Sequence, residues 1–153
     1  MSKIIKHITK EIIIEDENLT IKELVEKAVK EKISLENASL GYADLRNADL
    51  READLRDANL WGANLGNTDL READLRSANL RSADLGGANL TGVDLTSANL
   101  FKANLGGANL TGVDLTSANL QVADLRDAKI NQDQLVELAK LHGIKIIIEK
   151  END

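Results

Sequence analysis

Four aspartates recur at intervals of twenty residues: Asp54, Asp74, Asp94 and Asp114. Stacked in a column about 5 Å apart, such carboxylates could hold cations or accept hydrogen bonds from backbone N–H groups. The second reading is favoured, because Asn replaces Asp freely in otherwise matching stretches, and an amide oxygen accepts as a carboxylate does. A neighbouring set, Asn59, Asn79, Asn99 and Asn119, reads as a structural amide ladder. Other chemistry is thinly supplied. His7 and His142 belong to opposite ends of the chain, and there is no cysteine to support them. No catalytic residue, metal or cofactor is therefore expected. Gly86-Gly87 and Gly106-Gly107 are not followed by a helical pattern, so neither pair reads as a phosphate loop.

The interval of twenty is built on a shorter rhythm. Leucine stands at Leu35, Leu40, Leu45 and every fifth position to Leu125, and Ile130 completes the series. Two residues before each sits Ala, except at Ile33, Thr68, Val93 and Val113. The residue between is Asp or Asn, apart from Ser34, Ser39 and Lys129. Five helical steps rotate a side chain by roughly 140°, which would scatter the leucines around a cylinder. In a straight strand, residues five apart point to opposite faces. Ala and Leu are two apart, however, and a short extended piece points both inward. The two residues after each Leu must then turn the chain, and Gly-Gly, Thr-Gly, Arg-Ser and Arg-Asp suit a corner.

A longer duplication sets the number of corners. GGANLTGVDLTSANL at 86–100 returns at 106–120, and Leu50–Arg56 recurs at 70–76, both with an offset of twenty. A copy that preserves the outer faces must span one full turn, so the coil has four sides. The twenty units from 33–37 to 128–132 make about five coils, a rod on the order of 20–25 Å long. Leu and Ala fill its interior, which explains why aromatics are only 2% of the chain. Open ends would expose strand edges and core, so both need caps.

Units such as Ala48-Asp49-Leu50-Arg51-Glu52 resemble the pentapeptide repeat family over about 100 of the 153 residues. The resemblance implies an all-β solenoid, a right-handed quadrilateral β-helix, and the handedness comes from it alone. The family is functionally diverse. Its best-known members, the quinolone-resistance proteins, bind DNA gyrase as acidic mimics of duplex DNA.

The ends read differently. Over 1–32, two isoleucine-rich strands flank a turn near Thr9-Lys10. Thr20 and Glu23 form a capping box before an amphipathic helix over 21–31, with Leu19 and Leu24 placed as a staple. A second cap of helix and strand, 133–153, is introduced by Asn131 and Gln134, which repeat the capping pattern, and by Ile130 and Leu135 as the staple, and Gly143 suits its helix terminus. A final strand through Ile144, Ile146 and Ile148 follows; uncovered, it would pair with a second copy, so a homodimer is expected.

The repeat carries 14 acidic and 9 basic residues, but nine of the acids occupy the Asp position between Ala and Leu. The remaining surface is net basic, unlike duplex DNA with its dense uncompensated charge. Gyrase mimicry is therefore the alternative reading, and direct nucleic-acid binding is not expected, since the arginines are interleaved with acids and the whole chain carries −7. No apolar run reaches the roughly 20 residues of a membrane span, and the charged start lacks a signal-peptide pattern, so a cytoplasmic protein without membrane contact is expected. The favoured function is a non-enzymatic module that binds an unidentified protein partner. All three aromatics, Tyr42, Trp61 and Phe101, fall on units of one face, with Arg81 between Trp61 and Phe101 in their column. That face is the candidate partner surface, because aromatics and Arg dominate binding hot spots.

Overall fold

The computed structural model describes residues 2–6, 11–131, 133, 134 and 136. Strand β1, Ser2–Ile5, pairs antiparallel with β2, Ile12–Asp16, and helix α1 spans Ile21–Lys30. From Ser39 to Asn109, each residue between Ala and Leu bridges in parallel to the residue twenty positions later, as in Asp49 to Asp69 and Asp69 to Asn89. Corners recur every five residues, and their second residue has positive φ, as at Asn47 (57°) and Ser77 (57°). That is the conformation a type II turn demands of its third residue.

One unit shows why this sequence takes this path. Ala63 N–H donates across the corner to the Leu60 carbonyl at 3.0 Å. Asn64 N–H reaches back to Ala43 O at 2.9 Å, while Leu65 and Asn67 N–H reach forward to Asp84 O and Gly86 O at 2.6 and 2.9 Å. The fifth donor, Gly66 N–H, finds no backbone partner and is taken by Asn64 Oδ1 at 3.2 Å. All five donors are thereby paired, as a buried or half-buried backbone requires. The Asp/Asn position exists to accept that fifth N–H, and either side chain supplies the oxygen. Asn and Asp are interchangeable for this reason.

Leu35 to Leu110 and most of the alanines are fully buried in one continuous stack. Thr68 takes an Ala place without an orphaned hydroxyl, donating to Leu45 O at 2.8 Å. Val93 and Val113 also take Ala places, one coil apart on the next face, and both remain buried.

The first coil has no earlier coil to pair with, and the end segment substitutes for one. Ser39 N–H donates to Ile5 O at 2.7 Å, and Lys6 bridges Ala38 antiparallel. Glu26 of α1 offers Oε1 to Asp49 N–H at 3.0 Å, where a preceding coil would have offered a carbonyl. Ile4, Leu24, Val25 and Ala28 close over the core beneath. The helix itself begins at the capping box read from sequence, with Thr20 and Glu23 satisfying each other's backbone N–H. At the other end Asn131 and Gln134 cap reciprocally, and Gln134 Nε2 donates to Val113 O at 2.7 Å. There too a side chain replaces the missing coil. The proposed turn at Thr9-Lys10, both histidines, Leu135, Gly143 and the strand through Ile144, Ile146 and Ile148 lie outside the described residues.

Candidate functional site

The Asp54 column is structural. Arg76 N–H donates to Asp74 at 3.1 Å, and the N–H groups of Thr96 and Thr116 donate to Asp94 and Asp114 at 2.9 Å. Arg56 grips Asp54 with Nε and Nη2 at 2.7 and 2.8 Å, and its Nε lies 3.8 Å from Asp74 in the next coil. Arg76 likewise spans Asp74 and Asp94. Each guanidinium thus screens two rungs of like charge. Among the described residues, no group of three or more His, Asp or Glu could hold a metal ion.

These pairs set an acid limit. The Arg56 guanidinium, helped by the Ser34 hydroxyl and opposed by partial burial, holds the Asp54 carboxyl down at about 2. Arg46 and Arg126 do the same for Asp44 and Asp124, also to about 2. A carboxyl depressed in the folded state contributes stability above its unfolded value of 3.8, and loses it as pH falls through the folded value. The pairs are largely exposed, so solvent screens them and each is weak. A protonated carboxyl also keeps an oxygen for its corner N–H. Calorimetry should therefore show a melting midpoint flat from about pH 7 to about pH 4.5, declining modestly between about pH 4 and pH 2, with the decline reduced by salt. A fall between pH 6 and 5 would contradict this assignment.

One face departs from the pattern. Its units, centred on Leu40, Leu60, Leu80, Leu100 and Leu120, carry Ser39, Asn59, Asn79, Asn99 and Asn119 in place of any aspartate. Their Oδ1 atoms accept from Trp61, Arg81, Phe101 and Gln121 N–H. The amide ladder read from sequence has a side-chain rung between Asn79 and Asn59 at 3.3 Å. Tyr42 and Trp61 lie with ring centroids 4.8 Å apart, tilted by 57°. Arg81 lays its guanidinium over Phe101 at 4.7 Å, and Lys102 Nζ stands 5.4 Å from the same ring. The sequence expects the guanidinium between Trp61 and Phe101. The contacts found are instead two separate pairs, the tilted rings of Tyr42 and Trp61 and the Arg81 guanidinium over Phe101.

Gly62 makes the first pair possible. Its φ is +64°, and a Cβ there would sit 2.6 Å from Tyr42 Cε1, so the ring lies across the bare backbone. Tyr42 is 66% and Trp61 44% exposed. An open groove of about 760 Å³ between α1 and this corner, lined by Ile21, Lys22, Tyr42 and Arg46 among others, extends the surface.

Two members of the face were missed in sequence. Lys102 shares the Phe101 ring, and Val122 is 74% exposed with φ 60°. A β-branched residue in the left-handed region is an outlier, and strain of that kind gathers at functional positions. The signal was readable: Val122 stands where other corners carry residues such as Gly, Ser, Asn, Asp or Glu.

A parallel ladder with a rung every twenty residues and a corner every five defines a quadrilateral β-helix, a solenoid whose interior is filled by its own side chains. The protein belongs to the pentapeptide repeat family: the family pattern, pentapeptide repeats, matches residues 32–60, 53–92 and 94–132 in 8 copies. Members form right-handed quadrilateral β-helices, which supplies the hand of the coil. A pentapeptide repeat protein from the Arabidopsis thaliana thylakoid lumen is 34% identical, with a TM-score of 0.55, over 70% of this chain and 73% of its own. HetL from the cyanobacterium Nostoc, a pentapeptide repeat protein involved in heterocyst differentiation regulation, is 39% identical over 62% of this chain and 52% of its own, with a TM-score of 0.28. QnrB1, a plasmid-mediated fluoroquinolone resistance protein, is 21% identical over 71% of this chain and 68% of its own, with a TM-score of 0.27. Among curated proteins none matches the chain.

Proposed function

We propose that this protein is a non-enzymatic interaction module, a rigid rod of about five coils that presents the Tyr42, Trp61, Arg81 and Phe101 face to a protein partner. The observation that carries the reading is the concentration of exposed apolar side chains on one face. Tyr42, Trp61 and Val122 all lie there, among few exposed large hydrophobic residues in the described chain. Isolated exposed hydrophobics need no explanation, but a contiguous patch with an aromatic and arginine centre is what interfaces use. A rigid scaffold adds to this by holding the side chains in place before binding, so little ordering entropy is lost.

Gyrase binding by duplex mimicry has less support. Six arginines sit on carboxylates at 2.5–2.7 Å, so most of the negative columns carry their own counter-charge.

The test is affinity capture from a cell extract with wild type and a Trp61→Ser, Phe101→Ser double variant. Both side chains lie outside the core, so the circular dichroism of the variant should match wild type. Its captured partner should fall by about tenfold or more, the loss typical of hot-spot truncation. Undiminished capture by the variant would place the working face elsewhere.

A further inference from the structure

We propose that Arg81 and Lys102 form an anion-binding pair, and that the segment docking on this face is acidic, with carboxylates set beside apolar side chains. The inference rests on the reading of this face as the partner surface, and deepens it.

Arg81 is the exception among seven arginines. Arg46, Arg51, Arg56, Arg71, Arg76 and Arg126 each follow an aspartate two residues earlier and form an ion pair with it. Arg81 follows Asn79, and among the described residues it has no ion pair. Its guanidinium lies over the Phe101 ring at 4.7 Å, where Lys102 brings a second cation, also without an ion pair among the described residues. The units of this face contain no Asp or Glu at any outer position, whereas the other three all do, in a chain of net charge −7. Two cations have thus been placed where no carboxylate of the same face can satisfy them.

Physical chemistry selects the occupant. A guanidinium stacked on a ring keeps its edge donors free and pre-oriented, which suits bidentate capture of a carboxylate. The rings beside it and the exposed Val122 require apolar side chains in the same ligand. A nucleic acid would bring a dense run of phosphates against only two cations and an acidic rod, so its electrostatic balance is poor. An acidic segment of a protein partner satisfies both halves of the surface.

Trp61 is the sole tryptophan of the chain and reports directly on the face. The full-length protein is titrated at low salt with a short peptide of glutamate, leucine and serine, and with its counterpart in which every glutamate is glutamine. The acidic peptide should shift Trp61 emission and bind about tenfold more tightly than its glutamine counterpart, with the advantage shrinking as salt rises. Arg81→Gln with Lys102→Gln should erase that advantage and leave the emission of the free protein unchanged. Equal affinity for the two peptides, no binding of either, or tighter binding of a single-stranded oligothymidylate would overturn the proposal. The two readings fail separately. Equal peptide affinities that are both lost, by calorimetry, in the Trp61→Ser, Phe101→Ser variant would sink the charge inference and spare the face. Undiminished partner capture by that variant would sink the face itself.

Discussion

Leu85→Asp is expected to leave no folded protein: the parallel ladder vanishes from the circular dichroism, and the amide spectrum collapses to that of an unfolded or aggregated chain. Leu85 is 0% exposed and sits between coils, with its N–H on Asn104 O at 2.7 Å. Removing a buried leucine alone costs about 2–5 kcal/mol. The aspartate would add a charge with no donor to meet it, because the backbone N–H groups around it are already committed to the ladder. Small domains have only about 5–15 kcal/mol of total stability. In a solenoid each coil is stabilised by its neighbours, so the break also separates the halves. Leu85→Met, which conserves volume, should cost less than about 1.5 kcal/mol and serves as the control. A folded Leu85→Asp protein would mean that the leucines do not line the interior.

The parts of the fold legible in the sequence were those set by local rules or by repetition. The spacing of Leu and Ala gave the inward positions, and the offset of the duplicated segments gave four sides. Both capping boxes were readable because a hydroxyl or amide three residues from an acid or amide is a short-range geometry. What escaped were contacts that depend on how one element lands on another. Nothing in the sequence near Glu26 says that its carboxylate will stand in for a missing coil at Asp49. Nothing near Gln134 points to the Val113 carbonyl. The spacing places Trp61, Arg81 and Phe101 in one column and Tyr42 outside it, since Tyr42 occupies the second corner position and Trp61 the first; the contacts pair Arg81 with Phe101 alone and Trp61 with Tyr42. The two rings meet because Gly62 has no Cβ to hold Tyr42 away. Val122 and Lys102 carry no aromatic signal in the sequence, and their place on the face follows only from which residue types a left-handed corner tolerates.

If function resides in one face of a four-sided coil, changing which units share a face should change binding without unfolding the rod. Deleting 66–70 removes one unit and turns every later unit by a quarter turn. Arg81, Phe101 and Lys102 then leave the column of Tyr42 and Trp61. Deleting 106–125 removes one whole turn, with Gln121 and Val122 at the far end of the face, and keeps Tyr42, Trp61, Arg81, Phe101 and Lys102 on one face. Both variants retain complete units, so both should keep β circular dichroism close to wild type. The decisive measurement is the titration of Trp61 emission with the acidic peptide in these two variants. A preserved response is expected in the twenty-residue deletion, and a response lost or weakened by about tenfold or more in the five-residue deletion. Equal responses in the two would contradict a function held in one face.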